Sequence, residues 1–186
     1  MRHIILALCS AAALAACSSS PNVQYGPDGQ ALARVYRIDP SQEAEITYRM
    51  LDSINSVRQS RGMSALQLNS SLTAAAATHS RDMSVQNRPW HFGSDGSSPL
   101  VRVNRAGYTG TLLGEDISET YQTEIQTLAD WMGQVGTRDV LTNPQATDLG
   151  FAWFQEPAGK IWWTILVGSG GGGYTPAQPA NYAYNQ

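Results

Sequence analysis

From Ile46 the apolar positions recur every three or four residues, through Met50, Leu51, Ile54 and Val57. That is the spacing of one helix face. Asp39-Pro40 stands before it with Gln42 at a capping-box distance, and Gly62 closes it, so the pattern predicts a first helix with both ends marked. A second helix is expected from Asn69 or Ser70, with Leu72, Ala75, Ala76, His79 and Met83 on its inner face. Its alanine run, Ala74 to Ala77, allows close approach of another layer. A third is expected from about Thr123 to Val135, presenting Ile125, Leu128, Ala129 and Met132. Leu149 to Gln155 and Ile161 to Val167 are apolar on both faces, so they read as strands of a sheet covered on each side. The turn residues 156–160 join them as a hairpin, and a third, shorter strand is expected from Leu112 to Ile117. The Gly, Ser and Pro of residues 93–99 resist regular structure and suit a binding rim.

Both ends depart from this pattern. Arg2 and His3 precede an apolar run, Ile4 to Ala13, that is too short to span a bilayer as a helix. Leu14-Ala15-Ala16-Cys17 follows and resembles the lipobox at which bacteria attach diacylglycerol to a cysteine. Residues 1–16 are then a cleaved leader and residues 17–39 a polar tether starting at lipidated Cys17. Ser18, where inner-membrane retention usually has Asp, points by the same resemblance to the outer membrane, with the domain in the periplasm. The other cysteine, Cys9, leaves with the leader, so the mature chain has no pair for a disulfide and its core must hold by burial. Residues 40–168 form the expected domain. Residues 169–186, with Gly, Pro, Gln and three spaced tyrosines, read as a disordered tail.

Charge narrows the partners. There are 12 Lys+Arg against 15 Asp+Glu, no basic stripe, and a single lysine, Lys160, so nothing points to nucleic acid.

Four segments occur in an order that resembles the bacterial branch of the CAP (cysteine-rich secretory protein, allergen V5) superfamily. They are His79-Ser80-Arg81-Asp82-Met83, His91 to Ser98, Ala106-Gly107-Tyr108 with Gly114-Glu115-Asp116-Ile117, and Trp131-Met132. Leu149-Gly150-Phe151 and Trp162-Trp163-Thr164 complete the match over residues 46–168. The resemblance implies an α+β fold, a three-layer α-β-α sandwich with a small antiparallel sheet and a groove on one face. In that family the groove holds two histidines and two acids, sometimes with a divalent metal. By the motif His91 is the first histidine and Glu115 the acid. Thr137 stands at the second histidine and Gln134 at the second acid. Two ligands do not make a tight zinc site, which takes three or four, so no metal and no cofactor is expected.

The resemblance and the lost ligands together predict a non-enzymatic envelope factor. It would bind peptidoglycan, or a periplasmic cell-wall enzyme such as a division amidase, around His91 and Glu115. Asp95, Ser97 and Ser98 offer hydrogen-bonding groups for a sugar, or else an Asx-type turn feeding the next helix. Trp131, Trp162 and Trp163 are expected in the core, with one available to face a sugar ring. His79 is expected as a hydrogen-bonded core residue. Two alternatives stand beside this: a binder of lipid or another small hydrophobic ligand, and a metal-independent hydrolase using His91 and Glu115 as acid and base.

Overall fold

The computed structural model describes residues 35–170. The leader, Cys17, most of the tether and nearly all of the tail lie outside the described residues. A 3-10 turn, Pro40–Gln42, leads into α1 (Glu43–Ser60); then follow β1 (Gln67–Leu68), α2 (Ser70–Gln86), α3 (Pro99–Arg105) and β2 (Thr111–Ser118). The second half is α4 (Glu124–Gly133), α5 (Val135–Leu141), β3 (Asp148–Gln155) and β4 (Ile161–Ser169). The strands form one sheet in the order β1-β3-β4-β2.

The three-layer α+β sandwich is present, but its sheet is mixed. β3 and β2 each run antiparallel to β4, while β1 pairs parallel with β3. A two-residue strand carries too short an alternation to be read from sequence. β2 is eight residues long, as β3 is, and so is no shorter. β4 extends to Ser169, two residues beyond the pattern: Gly168 pairs with Leu112 and Asp148. A Cβ at Gly168 would meet the Tyr108 hydroxyl at 2.3 Å, so glycine belongs to the packing there, and Ser169, read as the first residue of the tail, ends the strand. At the other end, residues 35–38 are not free tether. The Gln155 side chain accepts from Ile38 N–H and donates to Tyr36 O, which fastens them to the hairpin.

Alternation along the strands divides the core. On one face α1, α4 and α5 cover Leu149, Phe151, Trp163, Ile165 and Val167. On the other α2 and α3 bury Leu72, Ala75, Ala76 and Val103 against Ala152 and Leu166. α2 sits so close to β3 that a Cβ at Gly150 would lie 2.3 Å from the Leu72 carbonyl carbon. Trp131, Trp162 and Trp163 are all fully buried, so none offers a face to a ligand.

Two helix faces differ from their periodicity. In α4 the buried residues are Glu124, Thr127, Leu128 and Trp131, and Ile125 is exposed, because seating Trp131 sets the rotation of the helix. In α1 the buried position after Ile54 is Arg58 rather than Val57. Its guanidinium donates to the carbonyls of Ser64, Leu141, Asn143 and Ala146. Those carbonyls lie at a helix end or in connecting segments, where no regular ladder satisfies them, and burial lowers the Arg58 pKa from its ordinary value.

Arg58→Leu should fill the space with an apolar side chain yet leave the carbonyls of Ser64, Leu141 and Ala146 without this donor, destabilising the domain by about 2–4 kcal/mol. Thermal or urea unfolding of the variant measures this.

Candidate functional site

The site is built where the chain between α2 and α3 crosses the edge strand β2. Asn69 caps α2 through Ser71 and Leu72 N–H, and Asn87 ends it in the left-handed region that Asn tolerates. Residues 88–98 then return toward the sheet. Ser98 caps α3 by accepting from Val101 N–H, with Pro99 at the first helical position.

Glu115 stands on β2 opposite Leu166 of β4, and so faces the α2–α3 layer. Its side chain is 2% exposed. A carboxylate buried to that extent needs donors on both oxygens. Oε1 lies 2.9 Å from His91 Nδ1, and Arg102 Nη2 donates to Oε2 at 2.6 Å. Arg102 Nη1 also donates to the carbonyls of His91 and Ser97. One guanidinium therefore neutralises the carboxylate and clamps the loop that carries the histidine. His79 completes the cluster, with Nε2 donating to Trp90 O at 3.0 Å and lying 3.7 Å from Glu115 Oε1. Burial holds the His79 pKa below its ordinary value, the Glu115 charge offsetting part of this, so His79 is a neutral wall of the site.

The His91 ring differs from its partners in being half exposed. A carboxylate paired with Arg102 can only accept, so in the neutral ring the Nδ1 carries the proton and Nε2 keeps its lone pair for a ligand. Beside it Phe92 is exposed, tilted against Trp90 with ring centroids 5.5 Å apart. Gln86 holds both residues by accepting from Trp90 Nε1 and donating to Phe92 O.

The groove read from sequence comes apart into three places. His91 and Glu115 meet. Asp95, Ser97 and Ser98 are held within their own loop: Asp95 accepts from Ser97 N–H in an Asx turn, Arg105 pairs with Asp95, and Ser98 caps α3. Ser97 and Arg105 keep the Asp95 carboxyl well below the usual range. Thr137 and Gln134 belong to the α4–α5 layer on the other face of the sheet, where Val140 of α5 packs on Gly114. Thr137 donates to Trp131 O and Gln134 to Asp130. Neither joins the Glu115 network.

Sequence reading missed Arg102. Its signal is faint: an arginine four residues after the Ser98 cap, on a short helix that also buries Val103. It missed Phe92 as well, whose exposure follows from the tight loop after it.

A divalent metal does not fit this donor set. Both Glu115 oxygens are committed and a buried guanidinium occupies the position of positive charge, while Nδ1 of His91 holds a proton. Among the described residues no three His, Cys, Asp or Glu are grouped to hold a metal ion.

The sequence pattern of the cysteine-rich secretory protein family, CAP, matches residues 51–167. The chain belongs to that family. It is 26% identical over 129 residues to the uncharacterized protein YkwD of Bacillus subtilis, a stretch covering 69% of this chain and 49% of that one; the chain thus spans about half the length of that relative. The fold is similar to an outer surface protein of Borrelia burgdorferi, at a TM-score of 0.62 and 14% identity over 73% of this chain and 98% of that one. It is equally similar, TM-score 0.62, to an extracellular SCP-domain protein of Bacillus anthracis, at 22% identity over 71% of this chain and 44% of that one.

Behind Glu115, on the opposite face of β2, lies a second carboxyl. Asp116 is 2% exposed and its Oδ2 has no hydrogen-bond partner. Burial, with the Glu115 charge adding to it, pushes this carboxyl up to about 8. The folded state then binds a proton that the unfolded chain releases near 3.8. Stability must fall as pH rises between those values and level off above the higher one. Asp116→Asn should remove that slope and raise stability at pH 8 by about 1–3 kcal/mol, read by unfolding across the pH range. Arg102→Met should have the reverse character, costing about 3–5 kcal/mol by leaving Glu115 buried and unpaired. The double variant with Glu115→Gln should recover part of that loss in a double-mutant cycle.

Proposed function

We propose that this CAP protein is a non-enzymatic binding module of the bacterial cell envelope. Its recognition point is the half-exposed His91 imidazole beside Phe92, and its target is peptidoglycan. The observation that carries the reading is the Arg102–Glu115–His91 chain. It fixes an imidazole at the surface through charges supplied by the protein, with one nitrogen facing outward. An orientation held in advance lowers the cost of binding, and a ring nitrogen next to an exposed aromatic suits a ligand that carries hydroxyl or amide N–H groups beside an apolar face. The lipobox sequence ending in Cys17 supports attachment to the outer membrane, which would keep the domain within tether reach of the wall.

A second reading, metal-independent hydrolysis, draws support from the same geometry. A buried carboxylate on Nδ1 makes Nε2 a proton acceptor. It draws none from the hydroxyls, since Ser94 Oγ donates to Asp82, Ser98 caps a helix, and Thr137 lies across the sheet bonded to Trp131 O; water would have to be the nucleophile. Lipid binding has less support: Gly150 closes α2 onto the sheet, and the cavity beside α3 carries two arginines and two aspartates on its walls.

Co-sedimentation of the full-length chain in detergent with purified sacculi tests the reading. His91→Ala is the informative variant, because the half-exposed ring leaves room for water to reach Glu115 Oε1, and its thermal unfolding is measured alongside. Binding that weakens about tenfold, the worth of one hydrogen bond, supports it. Wild-type protein that stays in the supernatant overturns wall recognition and leaves a protein partner. Release of soluble fragments from the sacculi, lost in the variant, replaces it with hydrolysis.

A further inference from the structure

The loop residues Asp95 and Ser97 border a different space from the one His91 faces. Between α2 and α3 lies a half-open cavity of about 460 Å³, within the size range of small-ligand sites. Its apolar wall consists of methyl groups only, from Ala74, Ala75, Thr78 and Ala106. This is the consequence of the alanine run in α2. Four charged side chains, two of each sign, converge on the same space: Asp82, Asp95, Arg102 and Arg105.

These four are not equally available. Arg102 is committed to Glu115 and to two carbonyls. Asp82 accepts from Ser94 N–H, from Ser94 Oγ and from Gln86. Asp95 and Arg105 are paired with each other, with side chains 52% and 62% exposed. An exposed pair of this kind contributes little to stability and exchanges its partners readily. The loop beneath it is set, because a Cβ at Gly93 would fall 2.5 Å from Ser97 Oγ and 2.7 Å from Asp95 Oδ1, and the Asx turn keeps Asp95 in place through Ser97 N–H.

We infer that this cavity is a second ligand site, for a small zwitterion of the dipeptide type with methyl-sized side chains. The ligand's carboxylate takes the Arg105 guanidinium and its ammonium takes the Asp95 oxygen thereby released. Each half of the ion pair is replaced by a like-charged group, so no charge is left uncompensated. A simple anion would leave Asp95 facing it, and a simple cation would leave Arg105. A neutral sugar would find no aromatic face among these walls. The alanine and threonine methyls offer an alanyl side chain an apolar contact. This inference does not rest on the His91 reading, since the cavity is not lined by His91 or Glu115.

Isothermal titration of the full-length chain in detergent tests it, using L-alanyl-L-alanine and D-alanyl-D-alanine as probes. The two isomers separate a peptide of protein origin from a wall stem terminus. Ala74→Phe fills the cavity from an exposed position, and Arg105→Gln removes the carboxylate partner from a surface site. Retained thermal unfolding establishes that both variants fold. Saturable binding of either isomer, weakened at least about tenfold by each variant, is the expected result. No heat at millimolar dipeptide overturns the inference, as does binding that either variant retains. Equal binding of N-acetyl-alanyl-amide, which lacks both charges, also overturns it.

Discussion

The functional face depends on one buried charge and the way it is compensated. Glu115 is withdrawn from water on an edge strand, where an unpaired carboxylate would cost several kcal/mol. Arg102 meets it from the first turns of a seven-residue helix. The same guanidinium grips the carbonyls of His91 and Ser97, so β2, the loop and α3 are joined at a single group. The local architecture follows from this: the Ser98 cap, Pro99 after it, and the glycine loop that lets the backbone pass close to Asp95. A cation in this position neutralises the carboxylate and repels a second cation from its oxygens.

The consequence is a site divided by its own support. On one side of Arg102 stands the imidazole, on the other the cavity beneath α2 and α3. The residues at the positions of the second histidine and second acid lie across the sheet, each occupied with local hydrogen bonds. The histidine is ordered by the fold, through Glu115 and Arg102.

Much of this was legible in the sequence, for reasons that can be named. Long amphipathic stretches defined α1 and α2 to within a few residues, since Asn69 caps α2 and Gly62 ends α1 locally, whereas Asp39 caps the 3-10 turn before α1 and Gln42 makes no capping bond. The two strands apolar on both faces announced a covered sheet. What escaped was short or set by tertiary contact. β1 has two residues, α3 and α5 seven each, and none of these is long enough for a period to emerge. Arg58 and Arg102 occupy helix positions where periodicity expects an aliphatic side chain, and only the arrangement of distant carbonyls and of Glu115 explains them. The pairing of His91 with Glu115 followed from the family motif, whereas Gln134 and Thr137 are parted from that pair by the face of the sheet their helices cover, and Asp95 and Ser97, on the same face as the pair, by the local bonds of their own turn.

The central claim is that Arg102 and Glu115, not a metal ion, fix the His91 ring with its Nε2 outward. Nitrogen-detected NMR of the imidazole in the full-length protein, with chelator and then with added zinc, tests it directly. The account predicts a proton on Nδ1, with the same signals under both conditions. A ring whose only proton sits on Nε2, or His91 signals that shift when zinc is added and return with chelator, would contradict it.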